Sequence, residues 1–140
     1  MSDTHPRGLP TLRAILAFSV LSTLSHYIHN FIAIDQYPQS SLVSNGVTQA
    51  LILVSWPLLT AIGIWGYREY AAGRSRHARG ALIAYSFTGL ITIGHFVDGN
   101  PDIPAFFYAT IFTDFVAGAS VLAFVAWSAR KAPTRMASAG

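Results

Sequence analysis

The chain has 140 residues, of which 52% are hydrophobic and only 11% are charged, and its formal net charge is +3. This length suits a single domain, and because soluble domains carry roughly 25% charged residues, the composition argues against a soluble fold and favours a lipid-facing surface. The chain has no cysteine, which excludes disulfides, cysteine-ligated metal sites and thiol catalysis.

Four runs nearly free of charge follow one another along the chain. They cover about residues 14–34, 46–67, 80–98 and 104–129, and only Asp114 interrupts the last of them. A helix needs about 20 residues to cross the hydrocarbon core of a bilayer, so each run is long enough, with the third the shortest. The runs are apolar on nearly all faces, whereas helices of a soluble bundle carry a polar outer face. The sequence therefore predicts one domain over residues 1–140, an all-α membrane four-helix bundle.

The basic residues predict how these spans are oriented. All nine Lys and Arg lie before the first span, between the second and third, or after the fourth. The positive-inside rule therefore predicts a multi-pass protein with both termini in the cytoplasm. This distribution explains the basic pI without a nucleic-acid partner. The expected partners are the lipid bilayer itself and either further copies of the chain or a larger membrane complex.

Small residues in the predicted spans mark where the helices can approach one another. Those in question are Gly63, Gly66, Gly89, Gly118 and Ala119. Because membrane helices pack most closely where side chains are small, we expect these positions at helix–helix contacts.

Ionisable side chains inside the predicted spans are the main indication of function. Those at one level, in the half away from the basic loops, are His26, His29, His95 and Asp114. Such groups are costly in a bilayer and usually face the bundle interior or a cavity. Because three spans supply them, we expect one shared site, with Asn30 and Asp98 as second choices. Any single one of them is explained equally well by a hydrogen bond that packs two helices.

A short internal similarity links the first and third spans. Residues 25–30, Ser-His-Tyr-Ile-His-Asn, and residues 94–99, Gly-His-Phe-Val-Asp-Gly, share a small residue, a histidine, an aromatic, a β-branched residue and a polar residue in that order. This pattern predicts two pseudo-repeated helical hairpins related by an axis along the membrane normal. In that arrangement His26 pairs with His95, and His29 with Asp98.

Residues 25–30, together with Asp35-Gln36-Tyr37-Pro38, resemble a segment of small four-span bacterial integral membrane proteins of unassigned activity. The resemblance covers only the first span and the loop that follows it. It implies a four-span fold and a location in the bacterial inner membrane. It implies no reaction and no ligand.

Three kinds of function are open for the predicted site. Metal binding comes first, because imidazole and carboxylate groups suit zinc, iron, copper or manganese. The ligands would be His26, His29, His95 and Asp114, with Asp98 as a substitute, and a haem version would use a histidine of the first span and His95 as axial ligands.

The second possibility is an intramembrane enzyme acting on a lipid-like substrate, in which His26 exchanges protons and Asp114 orients or charge-stabilises it. The residues expected to line the opening of its site are Tyr27, Tyr37 and Tyr108. The third possibility is a non-catalytic protein that binds a lipid or another small molecule, or that serves as an accessory subunit.

Overall fold

A computed structural model of the chain describes residues 6–38, 42–97 and 99–131. Within these ranges the regular structure is entirely helical, without strands, which confirms the all-α prediction for them. The four α-helices are α1 (Leu9–Ile32), α2 (Asn45–Ala71), α3 (Ser75–Leu90) and α4 (Ala105–Arg130). A 3-10 helix, Ile91–Phe96, continues α3, and a single 3-10 turn, Ile34–Gln36, follows α1.

Several helices begin or end at a proline, whose backbone is restricted, or at a glycine, whose backbone is unusually free. Pro10 lies in the first turn of α1, where a proline costs no intrahelical hydrogen bond. Gly73 follows α2 with a φ of 74°, a left-handed conformation that glycine adopts without strain. The chain therefore reverses from α2 into α3 within three residues. Pro104 directly precedes α4.

Three helices are long and apolar enough to cross a membrane. They are α1, α2 and α4, with 24, 27 and 26 residues and mean hydropathies of 1.2, 1.8 and 1.8. Many of the exposed side chains are large and apolar, including Leu53, Leu58, Phe106 and Val116. The interior, by contrast, holds nearly as many polar as apolar buried side chains. This distribution suits contact with lipid outside and hydrogen bonding inside.

Each helix packs against two neighbours, in the order α1, α2, α3, α4 and back to α1. An apolar core lies in the half of the structure where α1 and α3 begin and α4 ends. Its buried members are Leu12, Leu82, Tyr85, Val121, Phe124 and Val125. We call this half, which carries the Lys and Arg residues that the structure describes, the basic end. The opposite half, which holds His26 and His95, is the histidine end.

The α3–α4 contact depends on two glycines, as the small-residue pattern predicts. A Cβ atom on Gly89 would overlap the backbone carbonyl oxygen of Asp114. A Cβ atom on Gly118 would lie 2.6 Å from the carbonyl oxygen of Ser86. The two backbones therefore approach more closely than any side chain would permit, and this brings Asp114 against α3. Gly63 and Gly66 likewise pack against side chains of α3.

Hydrogen bonds between interior side chains fix α1 relative to its neighbours. Tyr85 donates to Ser19 Oγ at 2.9 Å, and the indole N–H of Trp56 donates to Thr23 Oγ1 at 3.1 Å. Tyr27 donates to the backbone carbonyl of Thr88 at 3.1 Å. Such bonds contribute only about 0.5–1.5 kcal/mol each, so their main effect is to specify the position of α1.

Candidate functional site

His26 lies at the centre of the polar interior at the histidine end. Its side chain is fully buried. Nε2 is 3.1 Å from Nε2 of His95, and Nδ1 is 3.2 Å from Oγ1 of Thr110. Oδ2 of Asp114 lies 3.8 Å from the same Nδ1. One imidazole of α1 therefore contacts side chains from the 3-10 helix Ile91–Phe96 and from α4.

Asp114 is also fully buried, and its two carboxylate oxygens differ in their surroundings. Ser22 Oγ donates a hydrogen bond to Oδ1, and the same hydroxyl is hydrogen-bonded to Thr113 Oγ1 at 2.7 Å. Oδ2, the oxygen nearer His26, has no hydrogen-bond partner among the described residues. Asp114 is therefore positioned to accept a proton or a hydrogen bond on its His26 side.

His95 reaches His26 because α3 continues as a 3-10 helix. In a 3-10 helix residues three apart lie directly above one another, so His95 lies above Thr92. The Thr92 hydroxyl donates hydrogen bonds to the backbone carbonyl oxygens of Gly89 at 2.6 Å and of Ile111 at 3.0 Å. These bonds hold the segment against α4 and direct His95 to the interior. The His26–His95 contact agrees with the pairing predicted from the internal similarity.

Asn30 completes the immediate surroundings of His95. It is four residues after His26 and therefore shares its face of α1. Its Nδ2 atom lies 3.3 Å from Nε2 of His95, and its buried Oδ1 has no hydrogen-bond partner among the described residues. The two ends of an amide have the same shape, so a half-turn of this group would present Oδ1 to His95 instead.

His29 is directed away from this centre. Its Nδ1 is 3.0 Å from the hydroxyl of Tyr37, and its ring stacks on Phe107 with the ring centroids 3.8 Å apart. Tyr37 is buried, and its ring centroid is 4.8 Å from that of His95. Tyr37 therefore lies between His29 and the histidine pair. Asp98, predicted to pair with His29, lies outside the described residues.

A cavity of about 290 Å³ reaches the histidine pair from between α1, α2 and the 3-10 helix. Its polar lining includes His26, Asn30, Thr48, Ser55, Thr92 and His95. An apolar groove of about 440 Å³ between α1 and α2 shares Tyr27 and Ile52 with this cavity. Tyr27, one of the tyrosines predicted to line the opening of the site, therefore lines both the cavity and the groove. Tyr108 instead packs against Phe96 and Phe112.

The predicted ligands meet only in part. Within the described ranges, no group of three or more His, Cys, Asp or Glu side chains is placed to hold a metal ion. His26 and His95 bring two ring nitrogens together, while Asp114 lies beside the other nitrogen of His26. The arrangement is a line of carboxyl, imidazole and imidazole that ends at a cavity. Thr113, which contacts Ser22, and Phe107, which stacks on His29, are contacts that the sequence did not indicate.

The chain matches no protein-family model, no curated protein and no solved structure. The resemblance of residues 25–38 to small four-span membrane proteins stays a prediction. The function is therefore inferred from the geometry of the site.

Proposed function

We propose that the chain is a multi-pass protein of the bacterial inner membrane that crosses the bilayer four times. Three helices have the length and hydropathy of membrane spans. At 1.5 Å per α-helical and 2.0 Å per 3-10 residue, the part of α3 after Arg79 and the 3-10 helix Ile91–Phe96 together extend about 28 Å, close to the roughly 30 Å of a bilayer core. With the eight described Lys and Arg at the basic end, that end and both termini lie in the cytoplasm.

The function that we propose is binding of a single transition-metal ion between His26 and His95. The observation that carries it is the 3.1 Å separation of their Nε2 atoms. Zinc–nitrogen bonds of about 2.0–2.1 Å at tetrahedral angles put two ligating nitrogens about 3.3–3.4 Å apart. The observed separation therefore differs by only a few tenths of an ångström from that of a ligand pair, and the two rings would turn so that both nitrogens face the ion.

Asn30 supplies a third donor once its amide oxygen faces His95. Two imidazoles and an amide oxygen leave at least one coordination position free, and the cavity between α1, α2 and the 3-10 helix opens onto it. A free position of this kind is typical of metal sites that bind an exogenous ligand, whereas structural sites have four protein ligands. The proposed site is therefore an open one.

The surroundings of His26 suit a metal ligand. Metal-bound histidines usually donate their other ring N–H to a carboxylate, carbonyl or similar acceptor, which fixes the ring and raises its basicity. Thr110 and Asp114 flank the Nδ1 atom of His26 at 3.2 Å and 3.8 Å. The carboxylate also compensates part of the positive charge of an ion buried in a membrane. In this proposal Asp114 supports His26 and does not itself bind the metal.

A bare ion suits this geometry better than haem. Two axial histidines lie on opposite faces of the haem iron, so their nitrogens are separated by about twice the metal–nitrogen bond, or about 4 Å. The side chains of His26 and His95 are in direct contact at 3.1 Å. Haem would require the helices to move apart, whereas a single ion would not.

A second candidate function is acid–base chemistry on a lipid-like molecule. The observation that favours it is the shared wall of the polar cavity and the apolar groove, formed by Tyr27 and Ile52. An amphipathic molecule would place its polar group near His95 and His26 and its chain in the groove. His26, with Asp114 behind it, would then exchange a proton with that polar group.

Metal content decides between these candidates. We would purify the protein in detergent, load it with Zn²⁺ or Co²⁺, remove excess ion and measure bound metal by elemental analysis. Wild-type protein should hold about one equivalent, and His26→Gln and His95→Gln should each hold less than about a tenth as much, because two ligands set the affinity. His77→Gln, at an exposed histidine of the basic end, is the matched control and should bind normally.

Two outcomes would overturn the metal proposal. One is wild-type protein that retains less than about a tenth of an equivalent after loading. The other is equal retention by the His95→Gln and His77→Gln variants. Under the acid–base candidate the protein is metal-free, and an amphiphile co-purifies with it in a manner that depends on His95 but not on His77.

A further inference from the structure

We propose a second ligand site, at the basic end, that binds the phosphate-containing headgroup of an anionic phospholipid. A cavity of about 280 Å³ lies there between the start of α1, the α2–α3 turn and the end of α4. Its polar lining comprises Arg7, Tyr70, Ser75, Arg79, Ser128 and Lys131. This site is separate from the histidine pair and is independent of the metal proposal.

The cavity carries positive charge that no carboxylate among the described residues neutralises. Three of its lining residues are cationic, and no lining residue is acidic. The one carboxylate of this end within the described ranges, Glu69, accepts two hydrogen bonds from Arg74 at 2.7 Å and 2.6 Å. His77 also lies 3.4 Å from Glu69. Glu69 is therefore paired with Arg74 and His77 and does not line the cavity. Its hydrogen bond raises the pKa of the Arg74 guanidinium.

Arg79 indicates most directly that an anion is expected here. Its Nε atom is buried and has no hydrogen-bond partner among the described residues. A buried donor on a charged group destabilises a protein unless something accepts its hydrogen bond. A phosphate oxygen is such an acceptor, and guanidinium groups bind phosphate through paired hydrogen bonds.

Tyr70 holds the wall of the cavity in place. Its hydroxyl donates to the backbone carbonyl of Arg7 at 2.7 Å. This bond ties the segment before α1 to the end of α2 and keeps Arg7 beside the cavity. Tyr70 is therefore a positioning residue, and the cationic side chains are the ones that would contact the headgroup.

The neighbouring surface identifies the ligand as a lipid in preference to free phosphate. A groove of about 450 Å³ between α1 and α4 shares Trp127 with the cationic cavity. Its other lining residues are Thr11, Ile15, Ser120, Ala123 and Phe124. An acyl chain would lie in this largely apolar groove while the headgroup occupies the cavity. Tryptophan favours the membrane–water interface, and anionic lipids are enriched in the cytoplasmic leaflet, where the proposed topology puts this end.

Lipid titration by native mass spectrometry tests the proposal on the whole chain in detergent. The probes are phosphatidylglycerol, zwitterionic phosphatidylcholine of the same chain length, and inorganic phosphate. We expect phosphatidylglycerol to bind at least about tenfold more tightly than phosphatidylcholine, because only the anionic headgroup offsets the three cations. Inorganic phosphate at millimolar concentration should not displace it, since phosphate lacks the acyl chain.

Variants separate this site from general surface charge. Arg79→Gln and Lys131→Gln should each weaken phosphatidylglycerol binding about tenfold, the loss expected for one charge-assisted hydrogen bond. Arg76→Gln, at an exposed arginine outside the cavity lining, is the matched control and should bind as the wild type does. Lys131 lies just after α4, so its variant keeps the test interpretable if Arg79→Gln does not fold.

Equal binding of the two lipids would overturn the proposal, as would equal losses in Arg76→Gln and Lys131→Gln. Displacement of phosphatidylglycerol by inorganic phosphate would show a free-anion site and refute the lipid assignment. Bound metal at the histidine end should be unchanged in all three variants, so the two proposals can fail separately.

Discussion

Replacing Gly89 by alanine should disrupt the contact that places Asp114 beside His26. The added Cβ would overlap the carbonyl oxygen of Asp114 and lie 3.0 Å from the amide nitrogen of Gly118. Both obstacles are backbone atoms, which cannot rotate away as a flexible side chain can. We therefore expect α3 and α4 to separate by about 1 Å at this point, and such overpacking costs about 1–3 kcal/mol.

Gly80→Ala is the matched control, because it is the same substitution in the same helix. A Cβ atom there would meet nothing within 4 Å, and alanine favours a helix over glycine by up to about 1 kcal/mol. Both variants share this gain, so their free energies of unfolding should differ by the overpacking cost alone, about 1–3 kcal/mol, with Gly89→Ala the less stable.

Circular dichroism during thermal unfolding in detergent measures this difference, and metal retention measures its consequence for the site. Gly89→Ala should unfold several degrees below Gly80→Ala and should lose part of its bound metal. If Gly89→Ala is as stable as Gly80→Ala and binds metal equally, the close α3–α4 approach does not position the site, and the reasoning is refuted.

Two further predictions concern the topology and the interior. The chain has no cysteine, so a single introduced cysteine reports the side on which its residue lies. Arg76→Cys should react with a membrane-impermeant maleimide added from the cytoplasmic side, and Asp102→Cys with the reagent added from the periplasmic side. The reverse pattern would contradict the proposed orientation. Trp56→Phe, which removes the indole hydrogen bond to Thr23, should lower the free energy of unfolding by about 0.5–1.5 kcal/mol. That loss should disappear when thermal unfolding is compared in a Thr23→Val background.

The sequence was informative about the helices because charge depletion is a local property of the chain. Long runs without charge require helices wherever backbone groups leave water, and α1, α2 and α4 follow from this. The contact between His26 and His95 was also predictable, because residues 25–30 and 94–99 carry the same pattern. The two segments differ in secondary structure, since His26 lies in α1 and His95 in the 3-10 helix Ile91–Phe96, so the pseudo-repeat itself stays a prediction.

Other parts of the site depend on the three-dimensional packing and were beyond the reach of the sequence. The change from α-helix to 3-10 helix at Ile91 is stabilised by Thr92, whose hydroxyl reaches a carbonyl on α4. His29 is three residues from His26, yet it binds Tyr37, because residues three apart in a helix still differ by about 60° in direction. The partner of each side chain is set by helix spacing, and no periodicity in the sequence reports that spacing.

The most direct test of the proposed metal site is X-ray absorption spectroscopy of the zinc-loaded protein in detergent. Two imidazole ligands at a zinc–nitrogen distance of about 2.0–2.1 Å are expected for the wild type. One imidazole should remain on whatever zinc His95→Gln retains, and two should remain in His77→Gln. Zinc without imidazole ligands in the wild type, or an imidazole count that does not change in His95→Gln, would contradict the assignment of His26 and His95 as a shared metal site.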